Sequence, residues 1–369
     1  MTYTYDSAGN ALSLTDARGI ILNYSYDALN RITQLDAPGI DDDIIYIYDS
    51  APGCTNGIGR LCQVLDNSGV TTYSYDAFGN LSQQTKTELG VTYTTQYTYD
   101  AGNRISTITY PDGRTLTYTR DAVGRITDIS MTVEGTTTSL LNSLSYRADG
   151  LIKSQTYGNG LTETRSYDLQ SRLIEQNISS VINQTYSYDL NGNLTTIPQG
   201  SYGYDVLDRL VQTSLSTQNN SYTYEGNGDI LNASFSVIPS PVRNERYTYT
   251  SYGQLASYTK NNVLTATYTY NAQHQRTRKS AGGTTIYHYD LAGNLIQETD
   301  STGTVIRNYV WLNQTPVAQV DHNGVNEVIT YLHTDHLNTP QWGTNTSGVL
   351  VWKWEGEAYG QNTPNEDVD

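Results

Sequence analysis

The chain has 369 residues, with 21 basic against 37 acidic side chains, a formal charge of -16, 33 tyrosines against 2 phenylalanines, and 31 glycines. That acidity argues against nucleic acid as a partner, because phosphate affinity comes from Lys and Arg. Two cysteines exclude a disulfide-rich miniprotein or a Cys-based zinc array. No run approaches the ~18 apolar residues of a membrane span, and the opening MTYTYDSAGN shows no signal peptide. Abundant Thr, Ser, Asn, Gly and Tyr favour strands and turns over helices.

In chain order, Tyr-x-Tyr-Asp recurs at Tyr3–Asp6, Tyr24–Asp27, Tyr46–Asp49, Tyr73–Asp76, Tyr97–Asp100, Tyr186–Asp189, Tyr202–Asp205 and Tyr287–Asp290. Degenerate copies end at Asp121, Asp149, Asp168, Glu225, Thr250 and Asn271. These 14 anchors between positions 6 and 290 lie about 22 residues apart on average, which makes the chain a repeat array. Three positions past the anchor stands Gly9, Gly79, Gly124, Gly192, Gly228, Gly253 or Gly293, with Asn30, Asn103, Asp208 and Ser171 as substitutes. Residues of this kind tolerate a left-handed backbone, so the slot requires positive φ. Asp at the first turn position and Gly at the fourth marks a type I turn closing a bulged hairpin. The carboxylate accepts turn amides, which accounts for it without catalysis. Two residues further on, Ile32, Leu81, Ile105, Ile126, Leu173, Leu194, Leu210, Leu255 or Leu295 begins the return strand.

A second Asp-x-x-Gly turn is expected at Asp16–Gly19, Asp66–Gly69, Asp300–Gly303 and Asp321–Gly324. Each repeat is then strand, turn, strand, turn, with no room for a helix. Period two places both tyrosines of a pair on one face, with Thr or Ser facing the other way. About 15 repeats give roughly 30 strands, and ~4.8 Å per strand makes a contour of about 140 Å. Closed as one ring, that sheet would be about 45 Å across; because strands twist, it must spiral, collapse on itself or surround something.

The Tyr-Asp anchors with their Gly-Asn/Arg-Leu returns resemble the YD repeats of the RHS (rearrangement hot spot) family. The most specific segment is Tyr331-Leu-His-Thr-Asp-His-Leu-Asn-Thr-Pro340, followed by Gly348-Val-Leu-Val-Trp352 and Glu357-Ala-Tyr-Gly360. It is similar to the RHS-associated core, with its YxHxDHLGTP segment. The insert from Gly53 to Cys62 is similar to a known repeat variant. The resemblance implies a spiralling β-shell that encloses a polypeptide: a toxin domain in bacterial polymorphic toxins, a cytotoxic C-terminal region in Tc toxins. Related shells in animal teneurins act in adhesion. On this reading 1–330 is an array of about 15 hairpin units, and 331–369 is the start of the core, truncated before its end. The sequence reaches Asn365-Glu-Asp-Val-Asp369 where the resemblance would continue into a DPxGL-type autocleavage motif. A chain that opens and stops within patterned segments is expected to be part of something longer, and no catalytic residue is carried over.

Other candidates are weaker. His333, Asp335 and His336 are the closest-spaced metal-ligand residue types. His333 and Asp335 share a strand face while His336 points away unless a turn intervenes, and zinc needs three or four converging ligands. Structural hydrogen bonding is the favoured reading. Asp41-Asp42-Asp43 reads as a solvated acidic turn rather than a calcium loop. Cys54 and Cys62 are either a disulfide or two free thiols. No HExxH, GxSxG, P-loop or Rossmann fingerprint is present.

The expectation is therefore an all-β protein of spiralling antiparallel hairpin repeats, secreted or on a bacterial surface. It is structural rather than enzymatic, without cofactor or metal, and its partner is a polypeptide cargo or neighbouring YD-repeat subunits. Two alternatives remain: a self-assembling extracellular filament or adhesin subunit, and a glycan-binding module using tyrosines such as Tyr97 and Tyr99.

Overall fold

The computed structural model describes the chain apart from residues 40–42, 180, 216–218, 227–229, 236–243, 325, 355–364 and 366–369, and apart from the side chains of 230–235. The described residues form 34 strands and no helix, from β1 (Thr2–Tyr5) to β34 (Leu350–Lys353). Consecutive strands pair antiparallel in sheets of 17, 6 and 11 strands. The first sheet ends at β17 (Ile182–Thr185), the middle one begins at β18 (Ser187–Tyr188), and the last begins at β24 (Glu245–Tyr249). The count exceeds the roughly 30 expected partly because the strand over 182–188 breaks at Tyr186, and because hairpins continue past 331.

Period two sets which side chains are covered. In β9 (Val91–Tyr99) Tyr93, Thr95 and Tyr97 are buried while Thr92, Gln96 and Thr98 are exposed. On the wet face hydroxyls pair across strands, as between Thr98 and Thr107 at 2.7 Å and between Thr248 and Ser257 at 2.6 Å. The sheets wind so that the last runs along the first in the same order. Arg18 donates to the Thr250 and Ser251 carbonyls, Ala272 N–H to Asp66, and Tyr110 to the Tyr309 carbonyl. Arg114 pairs with Glu327, and Asn159 donates to Thr344. Of the three outcomes open to a wide twisted sheet, the chain takes the first and winds back along its own beginning.

The apolar core fills the overlap. Tyr97, Ile108, Leu116, Ile129, Leu140, Leu141 and Tyr157 of the first sheet meet Ile296, Val310, Leu312, Val317, Val320 and Tyr331 of the last. Each fully buried Leu or Ile here stabilises the overlap by about 1.5–3 kcal/mol. The seam between the sheets is thus partly a conventional core, although both faces come from repeats rich in Thr and Tyr.

Candidate functional site

The recurring functional unit is the corner after each tyrosine strand. At Asp27, Oδ1 accepts the amides of Leu29 and Arg31 at 2.9 and 3.0 Å, and Oδ2 accepts Arg31 Nε at 2.6 Å. The Asn30 amide closes the turn by donating to the Asp27 carbonyl at 3.0 Å. Asp76 with Asn80, Asp168 with Arg172 and Asp205 with Arg209 repeat this geometry. The special slot has positive φ as expected: 89° at Gly9, 59° at Asn30, 57° at Asn103, 64° at Ser171 and 59° at Asp208. Gly228 lies outside the described residues. His274, at 63°, fills the same slot after Asn271, a substitution the sequence did not reveal. The amide four residues on is the main reason that the carboxyls of Asp27, Asp100 and Asp121 lie below the usual carboxylate range. Asp290 differs: burial pushes its carboxyl up.

Each corner is tied to the next repeat. The second tyrosine of a pair donates its hydroxyl to the first carbonyl of the preceding return strand. Tyr26 reaches Ala11 at 2.9 Å, Tyr75 reaches Leu61 at 2.6 Å, Tyr99 reaches Leu81 at 2.7 Å and Tyr146 reaches Ile126 at 2.6 Å. Tyr167, Tyr188, Tyr224 and Tyr270 do the same, and Trp311 substitutes with its indole N–H to Leu295 at 2.7 Å. The corner arginine bonds its own aspartate and lies over the next tyrosine ring. Arg31 is 4.4 Å above Tyr48, Arg172 4.7 Å above Tyr188 and Arg209 4.6 Å above Tyr224. Sequence reasoning recognised the anchor and missed this relay; its signal was the recurring Asn or Arg four positions past the anchor.

Several expectations need correction. The second degenerate anchor is Arg147, not Asp149: the Gly150 amide donates to the Arg147 carbonyl at 3.1 Å, and Asp149 sits inside the turn as its ion-pair partner. The second turns at Asp16 and Asp300 form as expected, with Gly19 and Gly303 amides donating at 3.1 Å. The Asp66–Gly69 turn is tighter, because Asp66 and Gly69 are themselves the last rung of their ladder. A side chain on Gly69 would meet the Thr87 carbonyl at 2.1 Å, which explains the glycine there. Asp321 and His322 likewise remain in their strand, with His322 opposite Glu327. Tyr97 is 3% exposed and so presents no face to a sugar, while Tyr99 is half-buried with its hydroxyl committed to Leu81.

His333, Asp335 and His336 do not converge. Asp335 is another corner: it accepts the Leu337 and Thr339 amides, and Asn338 has a φ of 64°. His333 is buried in the strand before it, bonded through Nε2 to Thr344 at 2.9 Å, and His336 rides on the turn against Tyr186. Among the described residues no group of three or more His, Cys, Asp or Glu could hold a metal. Asn345 forms a further corner with Gly348, again unforeseen. Asp41 and Asp42 lie outside the described residues, whereas Asp43 accepts the Ala37 amide at 3.0 Å. Cys54 and Cys62 are disulfide-bonded and pin the insert, whose Gly53 carbonyl accepts Ser74 Oγ at 2.6 Å.

The sheet overlap also holds charge. Glu163 is fully buried and accepts from Gln155 and Gln176 at 2.9 Å, from Tyr157 at 2.6 Å, and from Arg165. Burial alone would raise its carboxyl; Arg165 and these donors outweigh burial and hold it below the usual range. Nearer the start, Lys86 lies 3.6 Å from Asp66, and Arg278 of the last sheet lies 3.4 Å from Glu88 of the first. Burial pushes Glu88 up to about 7.

The comparisons with known proteins agree with this architecture. Residues 121–362 match the family described as teneurin YD-shell, and residues 5–39, 56–92 and 99–138 match the RHS repeat. The chain belongs to the teneurin YD-shell family. Its fold matches that of TcdB2-TccC3 in a crystal structure, with 16% identity, a TM-score of 0.73, and coverage of 97% of this chain and 24% of that one. In the Photorhabdus luminescens Tc holotoxin pore carrying TccC3-D651A, the values are 17%, 0.78, 97% and 23%. The chain thus spans about a quarter of the length of those chains. No curated protein sequence matches. Among the described residues no helix is long and apolar enough to cross a membrane.

Proposed function

We propose that the chain is a structural wall segment of a YD shell that contains and delivers a polypeptide toxin cargo, working outside the cell that makes it. The observation that carries this reading is the winding of one hairpin ribbon along its own beginning, in the fold of a Tc toxin chain about four times as long. A wall of this kind acts physically: successive ladders and corner relays keep solvent and proteases from whatever lies behind. Residues 331–369 would lead into the core that completes the shell. The test uses the full polypeptide encoded around this segment, with a protease site placed in the part that follows the repeats. Protection of that site in the folded protein, lost on denaturation, supports containment; cleavage at the rate of the free peptide rejects it.

A second reading is favoured by one observation. Tyr5 on the outer strand β1 is 60% exposed, and its hydroxyl has no carbonyl to reach among the described residues, unlike its counterparts in later repeats. Such an edge takes a further strand, either from a preceding stretch of the same polypeptide or from a second copy. If a second copy supplies it, the chain grows head to tail into a filament or adhesin. Sedimentation decides: a single species at 40.9 kDa rejects the filament, and concentration-dependent polymers support it.

A further inference from the structure

The histidines are unevenly placed. All 5 lie between positions 274 and 336, and three of them face tyrosines from the first part of the chain. Ring centroids are 4.2 Å apart for His288 and Tyr93, 4.5 Å for His333 and Tyr157, and 5.2 Å for His336 and Tyr186. His288 and His333 are buried, and each engages a buried threonine hydroxyl through Nε2, Thr299 at 3.0 Å and Thr344 at 2.9 Å. The Nδ1 atoms of His333 and His336 are buried with no hydrogen-bond partner in the protein. An imidazolium has two N–H donors to satisfy, and a buried charge without acceptors is strongly unfavourable.

The charged groups around these rings offer little help. His288 faces Lys86, whose own partners are Asp66 and Glu88. His333 faces Glu163, already occupied by Arg165, Tyr157, Gln155 and Gln176, while His336 has the corner carboxylate of Asp335 beside it. We propose that the seam between the first and last sheets is an acid-released latch, in which protonation of His288, His333 and His336 separates the imidazoles from their tyrosines and lets the last sheet lift away. This concerns how the wall opens and stands apart from what the wall contains.

Burial holds the His288 imidazole down at about 3 and His333 at about 4, and it lowers His336 too. Such groups favour the closed seam fully above the ordinary value of about 6.5, and that contribution is lost as pH falls below it. Each unit below 6.5 weakens closure about tenfold per imidazole. Glu88 acts in the opposite sense: its value is raised in the folded chain to about 7, so it favours closure increasingly as pH falls from there towards 4.5. The corner aspartates that are held low stay charged throughout this window.

Hydrogen exchange tests the latch directly, comparing protection factors of residues 284–289 and 327–334 with those of 21–26, away from the histidines. Between pH 7 and pH 5, protection across the seam should fall at least about tenfold in the unaltered chain, His288 and His333 being partly offset by Glu88 and His336 adding to the fall. In Glu88→Gln the fall should grow to several hundredfold. In the single His333→Phe the fall should already largely vanish, and in His288→Phe/His333→Phe protection should hold level or rise towards pH 5, because Glu88 is then opposed by His336 alone. Seam protection that is unchanged between the two pH values in both the unaltered chain and Glu88→Gln would overturn the proposal. So would an equal fall in folded histidine variants.

Discussion

Asp27 in the first sheet and Asn271 in the last hold the same turn with different charge. Asp27 Oδ1 accepts amides at 2.9 and 3.0 Å, and Asn271 Oδ1 accepts those of Gln273 and Gln275 at 3.1 and 2.8 Å. Thr250 manages with a hydroxyl, which takes the Gln254 amide at 3.1 Å. The corner therefore needs an oxygen in the right place and a positive φ three residues on; the negative charge is an addition. The overlap between the sheets follows no such rule. Glu163 and Lys86 each occur once in their setting and are held by particular partners, whereas His288 and His333 each meet one tyrosine ring and one threonine hydroxyl.

The comparison predicts that changes at the overlap outweigh changes at a corner. Glu163→Ala should have the largest effect, about 3–5 kcal/mol in urea unfolding, because it leaves Arg165 buried without its partner. A loss below about 1 kcal/mol would mean the network rearranges around the guanidinium. Leu141→Ala, at a fully buried position, should lower stability by about 3 kcal/mol. Tyr146→Phe removes one relay bond, to the Ile126 carbonyl, and should cost about 1 kcal/mol. Its signature is faster exchange confined to the hairpins on either side. Asp27→Asn should leave the melting temperature almost unchanged, while Asp27→Ala lowers it measurably. If Asn proves as harmful as Ala, the charge matters after all.

Repetition decides how much of this was legible in the sequence. The corner is written many times over, so its spacing exposed Gly9, Asn30 and Ser171 as one structural position despite their different side chains. A single irregular copy was misplaced: Asp149 looks like an anchor because it precedes Gly150, yet hydrogen bonding starts at Arg147. The overlap was not legible. Which tyrosine meets which histidine depends on where the ribbon crosses itself, with Tyr93 and His288 nearly two hundred residues apart. Periodicity along a strand says that Tyr97 and Tyr99 share a face; it does not say that another sheet covers Tyr97.

Pairing between consecutive strands has a mechanical consequence. Tension on a hairpin of the ribbon is borne first by its own ladder, and where the last sheet lies along the first it is shared with the strands facing it. Hairpins outside the overlap should therefore give way before those within it, each releasing about 22 residues as it opens.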